Sequence, residues 1–204
     1  MPIRRSWMIW VCVALVAAVA GAWFAQHLDR RGPTLASGTW LPEPRSLHEF
    51  SLLGSDGRTF GLADLKQTPS LVFFGFTHCP DICPTTLATL VHAKAIAGLP
   101  ALRLVLISID PERDSPKAIA EYVHAFDPSF VGVTGTSASI APVAADFGVA
   151  YERIQLPGGD YTMDHSAVIF LLNAQARRVA IFTAPFDAAK LAEDLRRAAP
   201  YLAG

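Results

Sequence analysis

Two short apolar runs constrain this chain more than any other feature: SLVFFGF (Ser70–Phe76) and LRLVLISI (Leu102–Ile109). Each is rich in strand-forming residues and shorter than a buried helix. A strand without polar alternation is covered on both faces, as in a parallel sheet flanked by helices. Between the runs, PTTLATLVHAKAIA (Pro84–Ala97) predicts a helix, with Pro84 in its first turn and Gly98 just past its end. Strand, helix and strand in this order form a right-handed parallel unit.

The neighbouring segments extend that unit. HEFSLLGSDGRTFGL reads as two strands joined by a turn at Asp56-Gly57. Ser115 and Pro116 open a helix as cap and first residue. FVGVTG reads as a strand and SASIAPVAADFG as a helix ending at Gly148, with Pro142 speaking against it. A hairpin-like turn at Pro157-Gly158-Gly159 separates VAYERI from YTMD. SAVIFLL and RVAIFT form a closing hairpin, and Asp187 opens a last helix. The expected fold is α/β and thioredoxin-like, with an N-terminal β-hairpin extension.

The amino end has a different character. WMIWVCVALVAAVAGAWFA, Trp7 to Ala25, carries no charge and no proline, and about 20 such residues cross a bilayer as a helix. Trp7, Trp10 and Trp23 suit its two interfaces. The competing reading is a cleaved signal peptide, with Arg4-Arg5 as its charged start and Ala20-Gly21-Ala22 as its cleavage site. Either reading exports the rest of the chain. The run exceeds a signal-peptide core, so the expectation is an anchor: residues 1–6 cytoplasmic, 7–25 a single transmembrane helix, 26–47 a linker and 48–204 the folded domain. That places the protein in the inner (cytoplasmic) membrane with its soluble domain in the periplasm. Arg4 and Arg5 favour the amino terminus inside, while Arg30 and Arg31 weigh against it. A net charge of −1 leaves no basic footprint for nucleic acid.

Of three cysteines, Cys12 sits in the apolar run as a small hydrophobe. Cys79 and Cys83 lie in FFGFTHCPDICPTT, just after the first buried run. One close pair closes too small a loop to stabilise a domain of this size. The carboxyl end of a parallel strand is where active residues are delivered, and the following helix start is expected to lower the Cys83 pKa. Three intervening residues leave a metal clip, a redox couple and a structural staple all open.

A third ligand would decide. His92 and His124 fall within helical patterns, His48 starts a strand, and His78 adjoins Cys79 too closely to reach the same ion easily. His165 precedes SAVIFLL, which should run antiparallel to the central strands and so begin beside the cysteines. A histidine hydrogen-bonded at a strand edge is the plainer alternative. Asp164 is a candidate to orient the imidazole. Asp110, Glu112 and Asp114 in IDPERDSP sit at the same sheet edge, read as a turn with Asp110 a candidate partner of the site. Two thiolates and an imidazole suit a soft ion, and without a fourth ligand for structural zinc the choice on donor chemistry is copper, Cu(I) or Cu(II).

FGFTHCPDICPTTL, ISIDPERDSP and DYTMDHSAVIFLL, in that order, resemble the Sco/SenC family of membrane-anchored copper-binding assembly factors of cytochrome c oxidase. The resemblance implies a thioredoxin-like fold and a copper site from Cys79, Cys83 and His165, with Cys79 and Cys83 also a redox-active disulfide. It implies copper delivery to, or thiol reduction of, the binuclear copper centre of cytochrome c oxidase subunit II. A periplasmic thiol reductant or copper donor would be a further partner. Met163 stands where the family pattern suggests a small aliphatic residue. No catalytic residue is implied by the metallochaperone reading; the alternative is a membrane-anchored thiol–disulfide oxidoreductase or thiol peroxidase using Cys79 and Cys83.

Overall fold

The computed structural model describes residues 3–29 and 32–203; within the first helix, side chains are described for Trp7 and for 9–23. The chain divides into two units, Met1–Pro33 and Thr34–Gly204. The first holds helix α1 (Ile3–Asp29), whose described apolar side chains are exposed. Among the described residues no helix is long and apolar enough to cross a membrane; the stretch 9–23 is itself shorter than a span of about 20 residues. The charges behind the expected orientation lie outside the description: Arg30 and Arg31 as residues, Arg4 and Arg5 as side chains.

The second unit begins with strands β1 (Gly38–Arg45), β2 (Ser51–Gly54), β3 (Thr59–Gly61) and β4 (Ser70–Gly75). Helix α2 (Ile82–Ala97), β5 (Arg103–Ser108), helix α3 (Pro116–His124), β6 (Val131–Thr134) and helix α4 (Ser137–Phe147) come next. The chain then forms β7 (Tyr151–Gln155), β8 (Tyr161–His165), β9 (Val168–Leu172), β10 (Arg178–Thr183) and helix α5 (Ala188–Ala198).

The two apolar runs pair as expected. β4 and β5 lie parallel from Ser70↔Arg103 to Gly75↔Ser108, and every β4 residue is buried. β9 runs antiparallel to β4, with Phe73 opposite Ile169. The eight-stranded order is β1-β10-β9-β4-β5-β6-β2-β3, while β7 and β8 pair only with each other. β2 and β3 are the expected N-terminal hairpin. This is a thioredoxin-like α/β architecture. Pro142 lies within α4, whose ends are set by Thr136, accepting from the Ser139 N–H, and by left-handed Gly148.

One segment departs from the sequence reading. The expected linker, 26–47, contains β1, which pairs with β10 along Gly38–Trp40 and again at Arg45. Pro42 and Pro44 made the stretch look irregular, but an edge strand tolerates prolines whose missing N–H groups face away from the sheet. The register shifts between Trp40 and Arg45, where those prolines lie. The strand is tied down just before it starts. Asp194 of α5, fully buried, accepts from the Ala36 N–H at 2.6 Å, the Ser37 N–H at 2.7 Å and the Ser37 hydroxyl at 2.7 Å. Asp194→Ala strands those donors and is expected to lower unfolding stability by about 2–3 kcal/mol in urea titration. Faster proteolysis near residues 34–37 should accompany the loss.

Candidate metal and thiol site

β4 ends at Gly75, and the chain crosses Phe76, Thr77 and His78 before α2 begins at Ile82. Cys83 therefore lies inside the first helical turn and is fully buried, whereas Cys79 is half-buried in the preceding loop. Both are free thiols. Gly75 makes room for the deeper one: a Cβ there would stand 3.0 Å from Cys83 Sγ and 3.1 Å from the Phe73 ring.

The loop is held by a carboxylate beneath it. Asp114, 1% exposed, accepts from the Thr77 hydroxyl at 2.6 Å, the Thr77 N–H at 3.1 Å and the Ser108 hydroxyl at 2.6 Å. This role was legible only as one option within IDPERDSP. Asp110 is equally buried but serves the other side of the turn, accepting from the Tyr161 hydroxyl at 2.8 Å and pairing with Arg113.

His165, the last residue of β8, reaches the cysteines as the topology requires: its Nε2 is 3.7 Å from Cys83 Sγ. The Phe73 and Phe76 rings meet the imidazole edge-on, with centroids 5.8 and 6.2 Å away. Its Nδ1 lies 3.1 Å from the Ser166 carbonyl. With Nδ1–H donating there, the Nε2 lone pair faces Cys83. That backbone carbonyl does what Asp164 was expected to do. Asp164 is exposed, because neighbouring strand residues point to opposite faces.

The other histidines of the folded domain stand apart. His48 bonds Asp146, His78 turns its Nδ1 to the Thr77 hydroxyl at 2.9 Å, and His92 and His124 are exposed. Among the described residues no group of three or more His, Cys, Asp or Glu side chains is already arranged to hold a metal ion.

The two thiols differ in acidity, in the opposite sense to the sequence expectation for Cys83. Cys79 is held down to about 5, chiefly by the hydrogen bond from the Cys83 thiol. The Cys83 N–H, 3.3 Å from Cys79 Sγ, and the Asp81 N–H add to this, as does His165. Cys83 is pushed up, first by that same hydrogen bond and then by burial. The N–H groups of the α2 start bear on the sulfur before the helix, whereas the sulfur within it is desolvated. Burial also raises the phenol of Tyr122, on which Cys83, Cys79 and Asp114 act in the same direction.

A thioredoxin-like domain with a polarised thiol pair and a converging imidazole is thus defined. The SCO1/SenC family model matches residues 41–200. The bovine mitochondrial SCO2 homologue is 36% identical over 190 residues, covering 89% of this chain and 70% of the relative. Arabidopsis thaliana ScoI, solved with copper bound, is 32% identical at a TM-score of 0.73, covering 76% of this chain and 98% of that one. Bradyrhizobium japonicum ScoI, also solved with copper bound, is 36% identical at a TM-score of 0.68, covering 74% and 98%. The chain belongs to the SCO1/SenC family.

In the reduced chain, alkylation of Cys79 is expected to accelerate as pH rises through about 5 and then level off. An unperturbed thiol would still be gaining reactivity near about pH 8.5. Cys83→Ala removes the principal hydrogen bond and should move the midpoint upward. Mass spectrometry of the Cys79 peptide across pH provides the measurement.

Proposed function

We propose that this chain is a membrane-anchored copper metallochaperone that binds one copper ion through Cys79, Cys83 and His165. Its target on this reading is the binuclear copper centre of cytochrome c oxidase subunit II, served by copper delivery, thiol reduction or both. The observation that carries the proposal is the 3.7 Å approach of His165 Nε2 to Cys83 Sγ, with Nδ1 already committed to a carbonyl. Two sulfurs and one imidazole nitrogen are a donor set suited to a soft cation. The copper-bound relatives support the choice of ion, and the family resemblance supplies the oxidase.

Cys79 and Cys83 alternate, on this reading, between a dithiol that accepts copper and a disulfide that cannot. A periplasmic thiol reductant or copper donor therefore acts upstream. Residues 7–25 form the inner-membrane anchor, with 1–6 cytoplasmic and the folded domain periplasmic. The run from Trp7 to Ala25, without charge or proline and close to the length of about 20 residues that crosses a bilayer, supports the anchor. A tethered carrier meets a membrane-bound target at raised effective concentration.

A second reading, a thiol–disulfide oxidoreductase or thiol peroxidase, draws support from one observation: Cys79 is partly exposed and its pKa is lowered to about 5. Copper titration of the reduced full chain separates the two. One equivalent is expected to bind to the wild type, and Cys79→Ser, Cys83→Ser and His165→Ala should each weaken binding by about 100-fold or more, beyond the usual cost of losing an orienting partner. His165→Ala should leave disulfide exchange close to the wild-type rate at neutral pH, because His165 is the smallest of the influences that hold Cys79 at about 5. Wild-type affinity in the His165 variant would discard the carrier reading in favour of the enzyme.

A further inference from the structure

β7 and β8 form a two-stranded sheet of their own, and an isolated hairpin is marginally stable at best. Yet β8 ends in His165, so the hairpin's seating decides where the imidazole stands. Near the inner end, Tyr151 and Met163 pack against the core. At the outer end the attachment is polar and concentrated on Tyr161.

Two guanidinium groups stack over the Tyr161 ring, Arg113 at 3.8 Å and Arg153 at 3.9 Å from its centroid. Arg113 pairs with Asp110 and also lies 3.7 Å from Asp160, and Arg153 pairs with Glu112. The Tyr161 hydroxyl donates to Asp110 at 2.8 Å, and Arg113 Nη1 donates to the Tyr161 carbonyl at 3.0 Å. Arg113 and Asp110 belong to the turn after β5, whereas Arg153 belongs to the hairpin. Tyr161 and His165 are four residues apart on one strand, so their side chains share a face about 13 Å apart. Phe76 lies between the Arg113 guanidinium, 5.9 Å from its ring centroid, and the imidazole, 6.2 Å away by ring centroid.

We propose that Arg113 and Tyr161 are positioning residues whose stack seats the β7–β8 hairpin and thereby holds His165 against the cysteine pair. Arg153 covers the outer face of the ring and completes the clasp. The inference deepens the copper reading but concerns the placement of the imidazole, which can be measured without metal.

In the copper-free, reduced full chain, the His165 ring protons feel the faces and edges of Phe73 and Phe76 and should resonate away from their values in unfolded chain. Tyr161→Ala and Arg113→Ala are expected to return those shifts toward the unfolded values. Tyr161→Phe keeps the stack and should leave them largely in place. Unmoved His165 resonances in both alanine variants overturn the inference, whether or not the wild type binds copper. If the wild type binds copper, Tyr161→Ala should weaken binding about 10-fold, and this loss should vanish in a His165→Ala background, where no imidazole remains to be placed. An equal loss in both backgrounds means that Tyr161 acts on general stability and also overturns the inference. A wild type that ignores copper removes the carrier reading alone, because the resonance test still decides the clasp.

Discussion

The antiparallel pairing of β9 with β4 is the constraint on which the site depends. β4 and β5 run together, and the cysteine loop leaves at their carboxyl end. Because β9 runs the other way, Phe73 lying opposite Ile169, the residues just before β9 arrive at that same end. The cysteines and the histidine are separated by more than 80 residues of sequence, but one sheet register brings His165 Nε2 to 3.7 Å from Cys83 Sγ. Reversing a single strand direction would send the imidazole to the opposite edge of the domain.

Around that junction, polar groups do the fixing where the sheet stops. Asp114 grips Thr77 from below the cysteine loop, while Asp110 faces away to Arg113 and Tyr161. Two buried carboxylates in one turn thus hold two neighbouring segments, the thiol-bearing loop and the histidine-bearing hairpin. A buried carboxylate is retained only where donors satisfy it, and each of these has them.

Much of this was legible in the sequence. Continuous apolar runs gave the central strands, and strand direction placed His165 beside Cys83, because both inferences rest on periodicity and chain connectivity. β1 was not legible: two prolines mask an edge strand, and its attachment depends on Asp194, more than 150 residues away. Nor was the division of labour within IDPERDSP, since the spacing does not say which carboxylate faces which segment. Asp164 looked like the natural partner of His165 by proximity, yet strand alternation turns it outward and a backbone carbonyl takes its place. The shift expected for Cys83 was reversed for a similar reason. Position at a helix start is visible in a sequence, but the depth of each sulfur is not.

That difference in depth imposes an order on any covalent event at the pair. An incoming disulfide, which would lose one of its sulfurs as a thiolate, or another electrophile meets the Cys79 sulfur first, since Cys83 is sealed beneath the loop and against Gly75. Cys83 stays protonated chiefly because it donates to the Cys79 sulfur. Once that sulfur is capped in a mixed disulfide, the thiolate acceptor is gone and Cys83 is released from it. Burial is then the larger remaining influence holding the proton on the deeper sulfur.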